Sequence, residues 1–288
     1  MNIGMQIDAT LEHSIALAEH PNGPPLLASA IRHAVLPGGA RVRPQLCMAV
    51  ASACEPQADL GDALAAASAI EMLHCASLVH DDMPCFDDAG TRRGKPSVHA
   101  KFGESLALLV GDALIVMSFE LMAREASAEY LRDLVLILTE STAPPHGITA
   151  GQAWESETDI NLQAYHNAKT AALFVAAARA GAASVGHADG PWRELGRRLG
   201  EAYQIADDLR DVLLSPDELG KPARQDNRHG RPSAVDSFGV EETFQRLTDA
   251  IEATAASVPS CAGEQALRQL IYAQAKRLAP ESLVQQVA

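Results

Sequence analysis

Two helix-like apolar segments of this chain each end in a cluster of aspartates, and this pattern constrains the fold more than any other feature. The first cluster runs from Leu78 to Asp88 and contains Asp81-Asp82. The second runs from Tyr203 to Asp211 and contains Asp207-Asp208. Mg²⁺ is usually held by one or two protein carboxylates together with substrate phosphates. Two such clusters facing each other would therefore bind a diphosphate through metal ions.

The remainder of the chain predicts an all-α protein. Of its 288 residues 47% are hydrophobic, enough for a sizeable core, and only 4% are aromatic. Alanine, the best helix former, is abundant, and no long stretch shows the alternation of a strand. Helical periodicity covers residues 8–19, 25–36, 41–54, 59–82, 103–124, 127–142, 146–158, 163–185, 191–214, 239–257 and 262–278. No linker separates these segments, so residues 1–288 are interpreted as one domain.

Charge and composition exclude several classes of function. The net charge of −14 argues against a nucleic-acid partner, which would need a basic face. The five cysteines form no CxxC pair, which is typical of reduced thiols in a cytosolic protein. The first ten residues lack the basic region of a signal peptide, and a cytoplasmic location is expected. Residues 60–79 contain Asp62, Glu71 and His74, so we interpret them as a buried helix that does not span a membrane.

The two most apolar helices are expected to be central. Residues 59–82 and 103–124 are apolar nearly all round, which is typical of buried helices. Asp112 lies inside the second helix, and a buried aspartate needs a hydrogen-bonding partner. Two longer loops, 83–98 and 215–237, directly follow the aspartate clusters and are rich in Arg and Lys. Loops of this length in a compact domain tend to be functional.

The spacing within each cluster favours a bound cation. Asp207 and Asp211 lie four apart, which places both carboxylates on one helix face, where they repel each other. They also lie near a helix C-terminus, where the helix dipole disfavours acidic groups. In the first cluster Pro84 interrupts the helix, so Asp87 can fold back towards Asp81. A solvated helix end and an acidic surface loop are the alternatives that involve no ligand.

Six segments together resemble the motifs of the trans-polyprenyl diphosphate synthases. Leu78 to His99, with Phe102-Gly103, resembles the first aspartate-rich motif of that family, and Tyr203 to Asp211 resembles the second. Four further segments resemble its glycine-lysine-arginine motif, its Gly-Gln helix, its His-x-x-Lys-Thr element and its Gly-Lys loop. They are, in that order, Gly38–Pro44, Gly147–Gln152, His166–Thr170 and Gly220–Asp226. The matches occur in family order, so the resemblance is specific.

The resemblance implies an isoprenoid-synthase helical barrel with a deep central cavity between the two aspartate-rich motifs, normally as a homodimer. It also implies the head-to-tail condensation of isopentenyl diphosphate with dimethylallyl, geranyl or farnesyl diphosphate. Mg²⁺, with three ions per active site as the family expectation, would bridge the aspartates and the allylic diphosphate. Ionisation of the allylic substrate would leave a cation, which the alkene of isopentenyl diphosphate attacks.

The resemblance also implies a role for individual residues. The metal-binding set would be Asp81, Asp82, Asp87, Asp207, Asp208 and Asp211, with Asp81, Asp87 and Asp207 as direct ligands. The allylic diphosphate would be held by Arg92, Lys169 and Lys221. Isopentenyl diphosphate would be held by Arg43, His74 and Arg93. Lys169, Thr170 and Gln204 would be the catalytic groups, the last two through oxygens that face the developing cation.

The chain departs from the family pattern at several positions. Ala40 stands where a lysine is usual, and Arg41 is the nearest base that could replace it. Glu155 stands where an aspartate is usual, Arg224 replaces a glycine, and Arg231 replaces a lysine. This combination is similar to the carotenoid-pathway geranylgeranyl diphosphate synthases of purple bacteria.

Product length in this family depends on the floor of the cavity. The floor position five residues before the first aspartate is Ala76, with Ser77 beside it, and neither side chain is bulky. A C20 product, geranylgeranyl diphosphate, is therefore expected, with a C15 farnesyl product as the alternative. Met117, Phe119 and Leu121 are the candidates for stopping elongation.

Two alternatives from other classes remain open. A class I terpene cyclase usually has an Asn/Ser/Glu second motif, whereas this chain has three aspartates there. A non-catalytic partner subunit tends to lose aspartates, and this chain retains both sets. Ala40 is the one feature that favours the partner subunit.

Overall fold

The computed structural model describes residues 2–36, 38–214 and 233–278, and most of these residues are helical. The all-α prediction is therefore confirmed. Lys221 and the Gly-Lys loop lie outside the described residues, as do Arg224 and Arg231.

The described part of the chain forms α-helices of 5 to 22 residues. They are α1 (Ile3–Ala18), α2 (Pro25–Val35), α3 (Val42–Cys54), α4 (Gly61–Asp81), α5 (Val98–Phe102), α6 (Glu104–Glu125), α7 (Leu131–Thr142), α8 (Ile148–Ala153), α9 (Leu162–His166), α10 (Ala172–Ala183), α11 (Arg193–Leu213), α12 (Ala234–Phe238), α13 (Val240–Ala256) and α14 (Glu264–Leu278). Short 3₁₀ turns cover Trp154–Ser156 and Gly190–Trp192, and a π-helical turn covers Asn167–Ala171. Two short strands, β1 (Thr91–Arg92) and β2 (Lys95–Pro96), pair antiparallel, with Thr91 opposite Pro96.

Helix α4 is the centre of the main hydrophobic core. It packs against α3, α6 and α10, and its small side chains let these neighbours approach closely. Ala66, Ala67 and Ala69 are fully buried together with Ile70 and Met72. The prediction that this helix is central is confirmed. Its C-terminal end carries Asp81 to the wall of a cavity.

Helix α6 is less buried than its sequence predicted. Val116 is 67% exposed, and Leu108 and Leu109 are about half exposed. The expectation that Asp112 is buried is wrong, because its side chain is 62% exposed and lies 3.9 Å from Nε2 of His80. An apolar composition all round a helix does not determine which faces other elements of the same chain cover.

Two of the described helices are long and apolar enough to cross a membrane when judged by length and composition alone. They are α4 and α6. In α4, 72% of the most apolar window is buried inside the protein, compared with 39% in α6. The core position of α4 accounts for its apolar sequence, whereas one face of α6 has no cover among the described residues.

The helix predicted over residues 163–185 is interrupted in the structure by the π turn between α9 and α10. Two glycines of neighbouring helices pack on this turn. A Cβ atom on Gly151 would lie 2.4 Å from Cα of Lys169, and one on Gly200 would lie 2.5 Å from Cα of Ala171. Single π turns inside helices are frequent at functional sites. This one carries Lys169 and Thr170.

The segment predicted as a loop after the first cluster forms a hairpin. Arg93 and Gly94 connect β1 to β2 and have φ values of 54° and 71°. Positive φ at both central residues is the requirement of a type I′ turn. Before the hairpin, the backbone N–H of Asp87 donates to the carbonyl of Asp81 at 3.0 Å. The predicted fold-back of Asp87 is thus confirmed.

Candidate active site

Both aspartate clusters border one cavity of about 350 Å³. Asp81 and Asp87 come from the end of α4 and the segment after it, and Asp207 and Asp211 come from α11. The structure therefore brings together two segments that are distant in sequence, as the shared chemistry of the clusters predicted.

Most of the predicted site residues line this cavity. Those that do are Arg43, His74, Ser77, Asp81, Asp87, Arg92, Arg93, Lys169, Thr170, Gln204, Asp207 and Asp211. Three predicted residues in the described part of the chain are not among the lining residues: Ala76, Asp82 and Asp208.

Three carboxylates converge at the α4 side of the cavity. One oxygen each from Asp81, Asp87 and Glu155 can lie within 4.8 Å of one another, a spacing that suits a shared metal ion. Nε2 of Gln152 donates to Oδ1 of Asp81 at 2.7 Å, and Nζ of Lys169 lies 3.3 Å from the same oxygen. Lys169 also forms a close ion pair with Glu155. Acidic oxygens and a lysine thus share one small region.

Sequence reasoning noted Glu155 only as a departure from the family pattern and missed its place in the site. Its Oε1 accepts a hydrogen bond from the hydroxyl of Tyr165 at 2.8 Å, in addition to the ion pair with Lys169. The signal available in the sequence was its position, three residues after the segment that resembles the Gly-Gln helix.

Asp82 lies behind the first cluster and holds the hairpin. Its carboxylate accepts hydrogen bonds from Nε of Arg92 at 2.9 and 3.2 Å and is also paired with Nη2. Burial raises the pKa of Asp82, with the Arg92 guanidinium acting in the opposite direction. Burial lowers the pKa of Arg92, but the hydrogen bonds and charge of Asp82 outweigh it and leave that pKa raised. Asp82 therefore positions Arg92 at the cavity wall.

Asp208 plays a similar part in the second cluster. Asp207 and Asp211 share a helix face because they lie four apart, whereas Asp208 points to another face of α11. Asp208 is buried and accepts hydrogen bonds from Nε2 of Gln204 at 2.9 Å and from the backbone N–H of Ala234 at 2.8 Å. This carboxylate links α11 to the beginning of α12.

The same carboxylate fixes the orientation of the amide of Gln204. An ionised carboxylate only accepts hydrogen bonds, so the amide nitrogen faces Asp208 and the amide oxygen faces away. That oxygen accepts a hydrogen bond from Oγ1 of Thr170 at 2.7 Å. The lone pairs of the Thr170 hydroxyl oxygen remain for other interactions at the cavity wall.

A basic wall beside the aspartates is formed by Arg43, His74 and Arg93. Nη1 of Arg43 is 3.4 Å from Nε2 of His74, and Arg93 lines the same part of the cavity. Burial first, and then the charges of Arg43 and Arg93, keep the pKa of His74 well below 6.5, so its imidazole is neutral at pH 7. Burial also lowers the pKa of Arg43.

Two aromatic rings support Arg43. Its guanidinium lies 4.4 Å from the ring centre of Phe174 and 5.6 Å from that of Tyr203, within the range of cation–π attraction. Sequence reasoning missed both roles, although an aromatic residue beside a motif is informative in a chain with so few aromatics.

Arg41, the nearest base to Ala40, lines the cavity, but its guanidinium is engaged by groups of the protein itself. Its guanidinium donates to Glu71 at 2.7 Å, to Asp8 at 3.1 Å and to the carbonyl of Val35 at 3.0 Å. The side chain is buried and each of its three nitrogens has a partner, so Arg41 is part of the scaffold.

The predicted floor is only partly at the cavity. Ser77 lines it, whereas the neighbouring Ala76 is buried in the hydrophobic core. Met117, Phe119 and Leu121 also belong to the core or pack against it, and none of them lines the cavity.

Comparisons with known proteins point to one family. The polyprenyl synthetase family model matches residues 24–269. The geranylgeranyl diphosphate synthase of Cereibacter sphaeroides is 50% identical over 100% of both chains, and that of Rhodobacter capsulatus is 46% identical over 95% of this chain and 96% of its own. A geranyltransferase from Helicobacter pylori, solved with magnesium and isoprenyl diphosphate, superposes with a TM-score of 0.79 at 28% identity, covering 96% of this chain and 97% of its own.

Proposed function

The chain belongs to the polyprenyl synthetase family, and from this premise we propose that it condenses isopentenyl diphosphate head to tail with allylic diphosphates to give geranylgeranyl diphosphate. The observation that carries the proposal is the single cavity with aspartates of both clusters on its walls and a basic wall beside them. The names of the two relatives at 50% and 46% identity support the C20 product.

The acidic residues fit magnesium. Asp81, Asp87 and Glu155 offer oxygens that converge within 4.8 Å, and carboxylate oxygens are the ligands that Mg²⁺ prefers. Asp207 and Asp211 would complete the set from α11, with three ions as the expected number. Bound Mg²⁺ would neutralise the charge that develops on the departing diphosphate. Asp82 and Asp208 would support the site from behind through their hydrogen bonds to Arg92 and Gln204.

Arg92, Lys169 and Lys221 are proposed to bind the allylic diphosphate. Lys169 contacts Asp81 and Glu155, which are also proposed metal ligands. A cation held by those carboxylates would replace the ammonium group as their counter-charge, and Nζ of Lys169 would then be able to donate to a phosphate oxygen. Arg92 has five N–H groups, and Asp82 engages those on Nε and Nη2, which leaves donors for phosphate.

Ionisation of the allylic substrate leaves a cation that the protein must protect from water. The hydroxyl oxygen of Thr170 and the carbonyl oxygen of Gln204 are held at the cavity wall, where their partial negative charge would stabilise that cation. Isopentenyl diphosphate would bind through Arg43, Arg93 and the neutral imidazole of His74. Its alkene would attack the allylic carbon, and the departing diphosphate would take the proton that is lost.

The exposed apolar face of α6 supports a homodimer. Leu108, Leu109 and Val116 lie on a helix whose sequence is as apolar as a core helix, and another protein surface would bury them. A second copy of this chain is the proposed partner, and the cytoplasm is the proposed location.

A product assay tests the proposal. Purified protein is given Mg²⁺, labelled isopentenyl diphosphate and, in separate reactions, dimethylallyl, geranyl or farnesyl diphosphate. The expected product is C20 from each primer, with no turnover in excess chelator. A product that ends at C15 would favour the farnesyl alternative. Failure to incorporate isopentenyl diphosphate would contradict the synthase and favour a cyclase or a partner subunit.

A further inference from the structure

Glu71 is a buried carboxylate that borders the cavity beside the basic wall, and the proposed reaction gives it no role. It lies in α4, one helical turn before His74, and is 2% exposed. Its Oε1 accepts a hydrogen bond from Nη1 of Arg41 at 2.7 Å, and Nη2 of Arg93 lies 3.8 Å from the same oxygen. Burying an unpaired charge is costly. The two guanidinium groups therefore compensate the charge of Glu71.

The two arginines reach this carboxylate from separate segments in an unusual backbone conformation. Arg41 precedes α3 and Arg93 lies in the hairpin turn, with φ values of 51° and 54°. Residues other than glycine rarely adopt this region, and they remain in it only where surrounding contacts hold them. Gly38 and Gly39 leave room for these side chains. A Cβ atom on Gly38 would lie 2.0 Å from the guanidinium of Arg41, and one on Gly39 would lie 3.1 Å from Nε of Arg93.

Arg43 depends on the same arrangement. Its buried Nε lacks a hydrogen-bond partner among the described residues. Its guanidinium is held by stacking on Phe174 and Tyr203 and by the 3.4 Å contact of Nη1 with Nε2 of His74. Stacking on a ring does not fix the position of a guanidinium along the ring face, so the position of Arg43 depends on its backbone. Arg41, two residues earlier, ties that backbone to α4 through its hydrogen bond to Glu71.

We propose that Glu71 is a positioning residue for the second substrate. Its carboxylate fixes the segment that carries Arg43 and orients Arg93 towards the diphosphate of isopentenyl diphosphate. The inference rests on the proposed function, which assigns that diphosphate to Arg43 and Arg93. It also gives a consequence of Ala40: without a lysine there, two arginines provide the charge, and their placement has a larger effect on binding.

The test compares Glu71→Gln with the wild type. Glutamine preserves the size and an oxygen that can accept from Arg41, but it lacks the charge. Calorimetric titration with isopentenyl diphosphate should show roughly tenfold weaker binding, since the hydrogen bond from Arg41 loses the charge of its acceptor and is weakened. The KM for isopentenyl diphosphate should rise in proportion, whereas the KM for the allylic substrate should change by less than about twofold because its proposed ligands do not contact Glu71.

Two controls separate positioning from stability. Asp8→Asn removes the exposed partner of Arg41 and should leave binding of isopentenyl diphosphate unchanged. The double variant Glu71→Gln/Arg41→Gln leaves no unpaired charge at Arg41, so its thermal midpoint should recover while its affinity for isopentenyl diphosphate stays low. Recovery of both properties would show that Glu71 acts on stability alone and would overturn the proposal.

Two further outcomes are decisive. Wild-type affinity for isopentenyl diphosphate in folded Glu71→Gln would overturn the positioning role. A wild-type protein that binds isopentenyl diphosphate but forms no product would contradict the proposed reaction and leave the role of Glu71 standing, because binding is measured separately.

Discussion

Replacing Gly151 by alanine should disrupt catalysis by displacing the π turn. The new Cβ atom would lie 2.4 Å from both Cα and N of Lys169 and 2.8 Å from the carbonyl carbon of Ala168. These are backbone atoms, so no rotamer change can relieve the contact. Since ordinary contacts begin near 3.4 Å, the turn must move by about 1 Å. A displacement of that size at a catalytic group costs roughly 100-fold in rate.

The assay is the steady-state rate of isopentenyl diphosphate incorporation, together with thermal unfolding. The kcat of Gly151→Ala should fall by roughly 100-fold while the KM for isopentenyl diphosphate changes little. Overpacking should also lower stability by about 1–3 kcal/mol. Gly90→Ala is the matched control, because a Cβ atom there meets nothing within 4 Å. A folded Gly151→Ala variant with wild-type kcat would refute the reasoning.

Three further predictions concern other parts of the molecule. Below pH 6.5 His74 takes up a proton on unfolding, because its pKa in the folded state lies well below that value. As the pH falls below 6.5, the free energy of unfolding of the wild type should therefore decrease more steeply than that of His74→Gln, by up to about 1.4 kcal/mol per pH unit. Urea unfolding between pH 6.5 and 5.5 measures both slopes, and equal slopes would contradict the buried neutral imidazole. Ser77→Phe should shorten the product from C20 to C15, as measured by chromatography, because Ser77 lines the cavity. Ala76→Tyr, at the neighbouring position in the core, is the comparison. An unchanged C20 product would place the floor elsewhere. Val116→Glu should convert a dimer to a monomer in light scattering, whereas Leu17→Glu, at a half-exposed position of α1, should not. A persistent dimer would exclude this face of α6.

Local patterns in the sequence predicted the helices well where periodicity was long and glycine or proline marked the ends. The fold-back of Asp87 towards Asp81 followed from Pro84 for the same reason, since a proline interrupts a helix locally. That residues 1–288 form one domain stays a prediction.

Features that depend on distant partners could not be predicted in this way. The four aspartates of the two pairs look alike in the sequence, but Asp82 and Asp208 are buried by contacts with Arg92 and Ala234, ten and twenty-six residues away. The π turn forms where Gly151 packs against it from another helix. Helix periodicity carries no information on such packing, and the exposed face of α6 was missed for the same reason.

The central claim is that the two aspartate clusters jointly hold the allylic diphosphate through metal ions. A crystal structure of the protein with Mn²⁺ and a non-hydrolysable allylic diphosphate analogue tests it most directly, because Mn²⁺ gives an anomalous signal. The account predicts three anomalous peaks that bridge the analogue's diphosphate to Asp81 and Asp87 on one side and to Asp207 on the other. A diphosphate bound by one cluster alone, or with no metal between it and the aspartates, would contradict the account.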